Sequence, residues 1–208
     1  WVFMLAGHEP PGAAMVGADA GPEQARLHGV LVDVYGIGVL LQGPSGSGKS
    51  ECALDLVVRG HRLVADDVIV VIRDSPGIVI GQGPEEIRHH MEIRGLGVIN
   101  IRDLFGIAAI RYRKRIELVV MLEPWTPEAE YDRLGVDDQT TDLLGVRLPL
   151  LRVPVSAGRN MAILVEVAAR NHLLKLMGHH AAQEFVDRLD RRLERPPQIP
   201  AVSEEDTE

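Results

Sequence analysis

Eight consecutive residues, Gly43-Pro44-Ser45-Gly46-Ser47-Gly48-Lys49-Ser50, carry the clearest chemistry in this chain. They fit G-x-x-x-x-G-K-[ST], the pattern of a phosphate-binding loop. Glycines let backbone N–H groups curl around phosphate oxygens, and a following helix points its positive end at the same anion. Lys49 supplies a movable charge for the β- and γ-phosphates, and the Ser50 hydroxyl suits a magnesium ligand. Such a loop holds a donor; transfer also needs a carboxylate near the acceptor hydroxyl and further ligands for the metal. Asp66 and Asp67 meet the first need. They interrupt two core-like runs, LVA and VIVVI, where a carboxylate is costly unless it is used. Alternation sends neighbouring side chains to opposite sides, so one can face the phosphates while the other fixes the loop. The competing reading is a solvated turn.

The remaining candidates say less alone. Glu92 lies among Arg88, Arg94 and Arg102, and His28 precedes an apolar strand. Taken singly, Glu92, Arg133 and Arg159 read as surface charges and His28 as a satisfied edge histidine. The pairs His89–His90 and His179–His180 diverge in direction and lack a third ligand at zinc spacing. Cys52 sits in the first turn after the loop, where a helix end can lower a thiol pKa; packing is the role assigned to it.

Several elements must position these groups. Val30, Val32 and Val34 alternate, and IGVLLQ (37–42) is a near-continuous apolar run of the kind buried on both faces of a sheet. KSECALDLVVRG reads as a helix with Ala53, Leu56 and Val57 on one face and Gly60 as its C′ glycine. HRLVADDVIVVIR reads as strand, break, strand, and IELVVML (116–122) as another strand. Residues 124–160, with Pro124, Pro127, Pro149 and Pro154, read as loop-dominated. From Asn160 two helices follow, the first ending at Gly178, the second with Phe185, Leu189 and Leu193 on one face. Strands first and helices last imply an α/β domain with a mixed sheet. Residues 1–26 read as a poorly ordered lead or the remnant of an upstream domain, residues 27–194 as the catalytic domain, and 195–208 as an acidic, solvated tail.

Composition narrows the classes. The 208 residues suit one domain, and Lys+Arg 22 against Asp+Glu 30 leaves a formal charge of −8, which argues against general nucleic-acid binding. No apolar run approaches the ~20 residues of a membrane span. The one cysteine cannot form an internal disulfide, so a reducing, cytoplasmic location fits.

HGVLVDVYG, GPSGSGKSE, RGHRLVADD, EIRGLGVINIRDLFG, YDRLG and VPVSAGRNMAILVEVAARN follow one another in the order of a single family. Over residues 27–194 the chain resembles the catalytic domain of the bacterial HPr kinase/phosphorylase family. The resemblance implies a mixed sheet similar to the nucleotide domain of PEP carboxykinase, and a homohexamer. It implies that ATP and Mg²⁺ serve the phosphorylation of a serine in the phosphocarrier protein HPr, in regulation of carbon metabolism. Inorganic phosphate would reverse the modification and leave as pyrophosphate. It makes Gly43, Pro44, Ser45, Gly46, Ser47, Gly48, Lys49 and Ser50 the ATP loop, with Lys49 also an active residue. Ser50 and Glu92 become magnesium ligands, and Asp67 the catalytic carboxylate beside His28 and Arg133. Met91–Asn100 would serve both directions, and Pro154, Val155, Ser156, Ala157, Gly158 and Arg159 the dephosphorylation loop. Ser156 and Ala157 stand where a basic residue and a proline are common. The loop and Asp67 alone also allow a kinase of a small metabolite, or a nucleotide sensor without turnover.

Overall fold

Aliphatic and β-branched residues crowd the first two thirds of the chain, and they form strands. The computed structural model describes residues 23–126, 139–156 and 158–193. In chain order come β1 (Gln24–His28), β2 (Val30–Val34), β3 (Ile37–Gln42), α1 (Lys49–Val58), β4 (Arg62–Ala65), β5 (Val68–Ser75) and β6 (Ile78–Gln82). There follow β7 (His90–Ile93), β8 (Gly97–Asn100), α2 (Ile101–Phe105), β9 (Arg113–Arg115) and β10 (Leu118–Pro124). Last are β11 (Thr140–Leu143), β12 (Val146–Val155), α3 (Met161–Leu176) and α4 (Ala181–Leu193).

The main sheet has the order β11-β12-β10-β3-β2-β4. β3, β10 and β12 are parallel, whereas β2, β4 and β11 join antiparallel, giving the mixed sheet expected. A second, antiparallel sheet runs β1-β5-β6-β9, and β7–β8 form a separate hairpin. Strand alternation divides the core in two. Val30, Val32, Val34, Val39 and Leu41 face α1 and α3, where they meet Cys52, Ala53, Leu56, Val57, Ala162 and Val165. Leu31, Leu40 and Val119 point the other way, against Ile69, Val71, Val79 and Ile116 of the second sheet and its exit. Burial on both faces is why β2 and β3 read as unbroken apolar runs; each such side chain contributes roughly 1.5–3 kcal/mol.

The chain passes between the two sheets twice at one corner. It leaves β1 for β2 through Gly29, and β4 for β5 through Asp66-Asp67. The two crossings are bonded to each other, Gly29 N–H donating to the Asp67 carbonyl at 3.1 Å. The acidic pair is therefore a break between strands of different sheets, and the antiparallel register sets His28 opposite Val68.

Two expectations are corrected. The patterned domain begins at Gln24 rather than at residue 27, since Gln24–Arg26 pair with Val70–Ile72. The stretch 140–155, read as loop because of its prolines, holds β11 and the ten-residue β12. Both prolines fall where a missing N–H costs nothing. Leu150 donates to Gln139, so Pro149 turns toward β10 one residue before that ladder begins at Leu150–Val119. Pro154 turns to the other edge, beyond the end of β11. Residues 1–22 of the expected lead 1–26, and the whole of the expected acidic tail 195–208, lie outside the described residues.

The α1 and α3 boundaries agree with the sequence signals. Gly60, at φ +96°, follows α1, and its N–H donates to Val57 O at 2.9 Å. The Asn160 side chain caps α3 by accepting from Ile163 N–H at 3.0 Å. The sheets touch at Gly38. Its N–H donates to Glu117 Oε2 and its carbonyl accepts from Glu117 N–H, both at 2.9 Å. A Cβ there would lie 1.8 Å from the Arg115 carbonyl oxygen. Gly38→Ala is expected to cost on the order of 3 kcal/mol, read as a lowered urea midpoint; an unchanged midpoint would contradict this packing.

Candidate active site

The parallel strands β3, β10 and β12 end together, with Gln42 beside Met121 and Pro124 beside Val155. Carboxyl ends of parallel strands are where open α/β sheets bind ligands, and the glycine-rich loop emerges there from β3. Gly43 adopts φ +146°, and a Cβ on it would fall 2.2 Å from Leu122 O, so only glycine allows the loop to lie against β10. Gly48, at φ 84°, is the N-cap of α1 and supplies no side-chain cap. The first N–H groups of α1 thus have no side-chain acceptor, the condition that suits an incoming anion. Lys49 is buried, and its Nζ donates to Gly43 O and Pro44 O, both at 2.9 Å. An ammonium has three donors, so one remains for a phosphate oxygen. Ser47 Oγ is also buried and has no hydrogen-bond partner.

Behind this loop stands Asp66. Its Oδ1 accepts from Ser50 Oγ at 2.9 Å, and its Oδ2 from the Glu92 N–H at 3.3 Å. One buried carboxylate therefore joins the head of α1, the break after β4 and strand β7. Burial pushes the Asp66 carboxyl above its ordinary range; the Ser50 and Glu92 hydrogen bonds pull the other way. A buried carboxylate under that tension favours a nearby cation. With the Ser50 hydroxyl and the exposed Glu92 it offers the hard oxygen donors that magnesium takes. Among the described residues no three His, Cys, Asp or Glu side chains close on one point.

Asp67 turns outward. Its backbone sits at φ 67°, uncommon for a residue with a side chain, and such outliers collect at functional sites. Its Oδ1 lies 2.9 Å from His28 Nδ1, and both side chains are more than half exposed. The two crossings between sheets thus place a histidine and a carboxylate side by side, adjacent in sequence to the buried Asp66.

Glu92 lies on β7, and Arg94 is the first residue of the turn that follows it. The Arg94 guanidinium reaches over the loop, with Nη2 3.7 Å from where a Gly46 Cβ would stand. Sequence reasoning treated Arg94 as a flanking charge and left open which aspartate meets Ser50. The i, i+2 spacing from Glu92 was the signal for Arg94. Residue type and spacing alone do not tell Asp66 from Asp67, since that depends on which way the chain turns between sheets.

Pro154 and Val155 end β12 beside Glu123 and Pro124 of β10, one strand over from the strand that carries the loop. The exposed Arg159 donates from Nη1 to Pro154 O at 3.1 Å, curling the segment on itself. Arg133 and Ala157 lie outside the described residues. Burial, with Asp55 adding to it, pushes the Cys52 thiol up to about 12, which makes it a packing group. His89 packs edge-on to Tyr112, and His90 lies 3.0 Å from the Arg88 carbonyl, both away from a common ligand point.

Residues 21–189 match the family described as the HPr Serine kinase C-terminal domain. The HPr kinase/phosphorylase of Geobacter sulfurreducens is 59% identical over 172 residues, 83% of this chain and 54% of that protein. That of Geobacillus kaustophilus is 55% identical over 168 residues, 81% and 54% of the two chains. The chain thus spans about half the length of the curated relatives it matches. The solved Hpr(Ser) kinase/phosphatase from Coxiella burnetii is similar with a TM-score of 0.67 at 32% identity, covering 82% of this chain and 99% of that one.

The loop geometry makes one direct demand. Gly43→Ala should weaken binding of a fluorescent ATP analogue by roughly tenfold or more, about 1.4 kcal/mol, with far-UV circular dichroism preserved. Unaltered affinity would show that the approach to Leu122 is not required.

Proposed function

The chain belongs to the HPr Serine kinase C-terminal domain family, and we propose that it phosphorylates a serine of the phosphocarrier protein HPr with ATP and removes that phosphate by phosphorolysis. The observation that carries this reading is Asp66, which ties Ser50 and Glu92 to one point while Asp67 extends from the next residue. A sensor needs only the loop; a carboxylate held open to solvent beside it is the equipment of a transferase. Arg133 joins the site as a further active residue on the family resemblance alone.

In the forward direction Asp67 accepts the proton of the HPr serine as its oxygen attacks the γ-phosphorus. The O–P bond forms, the bond to the β-phosphate oxygen breaks, and ADP departs. His28 fixes the Asp67 carboxylate through the 2.9 Å contact, so the base is oriented before the acceptor arrives. Lys49 and Arg94 place positive charge against the phosphate oxygens, where negative charge is redistributed in the transition state. Ser50 and Glu92 would hold Mg²⁺, with Asp66 orienting the Ser50 hydroxyl. When bound, the ion would neutralise phosphate charge. In the reverse direction inorganic phosphate attacks phosphoserine, pyrophosphate forms, and Asp67 returns a proton to the leaving serine oxygen. The loop Pro154–Arg159 serves that direction. A homohexamer is proposed on the family resemblance alone; Phe185 and Leu189 of α4, 48% and 45% exposed, offer apolar surface to a partner. No helix among the described residues is long and apolar enough to cross a membrane.

The test uses purified HPr, ATP and Mg²⁺ followed by mass spectrometry: HPr should gain one phosphate and lose it when inorganic phosphate is added. Label on a small metabolite alone would refute the protein-kinase reading. Asp67→Asn should slow both directions by about 10²–10⁴-fold, and near-normal turnover would remove it as the base. Arg94→Ala should lower turnover of both reactions, by roughly 10²-fold if it meets transition-state charge; equal turnover with only weaker ATP binding would make it a ground-state contact.

A further inference from the structure

Five polar or charged side chains are buried among the described residues: Asp33, Lys49, His61, Asp66 and Glu166. Lys49 and Asp66 belong to the site, and Asp33 is bonded to Arg111 at the sheet edge. The other two are bonded to each other far from the phosphates, and the proposed reaction uses neither. Glu166 lies on α3 in a stripe with Ala162, Val165 and Ala169 that is otherwise apolar. Its Oε2 accepts from Arg59 Nη2 at 2.6 Å and its Oε1 faces His61 Nε2 at 2.9 Å. Tyr35 Oη reaches the same Oε1 at 3.4 Å, with its ring edge-on to His61 and the Arg170 guanidinium 4.2 Å from its centroid. The Arg59 hydrogen bond is the main reason the Glu166 carboxyl falls to about 2, against the cost of burial.

A charge in an alanine-rich helix contact is costly where a methyl group would do. Its geometry suggests what it secures. α1 and α3 both start at the carboxyl ends of the parallel strands and run back along the sheet. α1 carries Lys49 and Ser50 at its head; α3 follows directly on Arg159 and its cap Asn160. Between them lie Ala53, Leu56, Ala162, Val165 and Ala169, a contact made largely of small side chains. Apolar contact is non-directional and permits small slides or tilts, whereas the hydrogen bond from Arg59 Nη2, on the C-cap of α1, constrains distance and angle. Glu166 is about 9 Å along α3 from Asn160, close enough for its anchor to govern the position of the helix head.

We propose that Glu166 is a positioning residue: by locking α3 to the far end of α1 it sets where the head of α3, with Arg159 and Asn160 before it, stands relative to the phosphate loop. This rests on the function proposed above for the meaning of that segment, but the placement is testable without turnover. In the whole chain, Glu166→Ala should raise hydrogen–deuterium exchange in the peptide spanning 158–164 by roughly tenfold, with 43–50 changed less than twofold. It should also lower phosphorolysis of phosphorylated HPr about fivefold relative to phosphorylation, largely as a raised KM for inorganic phosphate. Glu166→Gln, which keeps an acceptor for Arg59, should recover part of both effects. Should the alanine variant not fold, Arg59→Met removes the hydrogen bond from the α1 side and is read the same way. Exchange changes confined to 33–37 and 59–61, or both reactions falling in one proportion with the folded fraction, would overturn the proposal. If the unaltered chain moves no phosphate to or from HPr, the function is refuted and the exchange result alone decides the positioning role.

Discussion

The Asp66 carboxylate is the joint on which the site depends. Two oxygens of one buried group hold the hydroxyl at the head of α1 and a backbone N–H of β7, which brings together segments 16 and 26 residues away along the chain. A buried carboxylate is a severe constraint: each oxygen must be satisfied, and each satisfaction fixes another element. Remove it and Ser50 loses its orientation, while the hairpin carrying Glu92 and Arg94 loses its tie to the corner between the sheets. Such bonds at roughly 3 Å are directional enough to place oxygen donors where a divalent ion and phosphate charge would meet them.

Why a two-sheet fold should serve this chemistry follows from the crossings. A strand that continues within one sheet presents its side chains alternately to two faces, both of them buried here. A strand that breaks and changes sheets opens a corner where polar residues escape the core. Gly29 and Asp66-Asp67 form that corner together, bonded across their backbones, and the exposed carboxylate and histidine occur there. Asp67 accepts a left-handed backbone, which aspartate tolerates better than the valines on its C-terminal side would. Turn geometry and site chemistry thus demand the same residue type.

Two helices of similar direction place two different groups at one end of the sheet. α1 grips the lysine and serine of the loop, and α3 begins where the Arg159 segment ends. The apolar interface between them stabilises the fold, but cohesion of that kind does not define an angle. The anchor at Glu166 supplies direction at the opposite end of α1 from Lys49 and Ser50.

Much of this was legible in residue order. The phosphate loop follows from local spacing, the double-buried strands from uninterrupted apolar runs, and both helix limits from Gly60, Asn160 and Gly178, because each of these signals is confined to neighbours along the chain. The six ordered segments add a likeness to one family, and with it the expectation that Asp67, His28 and Glu92 act, which spacing alone left open. Two kinds of information were not local. Prolines at 149 and 154 masked a ten-residue strand, since only the positions of β10 and β11 show that neither N–H is needed. Likewise the division of labour between Asp66 and Asp67, the reach of Arg94 over Gly46 and the pairing of Glu166 with Arg59 and His61 are contacts between distant segments. Residue type determined what each group can do; the tertiary fold decided which of them meet, because hydrogen bonds and ion pairs act over ångströms in space and take no account of separation along the chain.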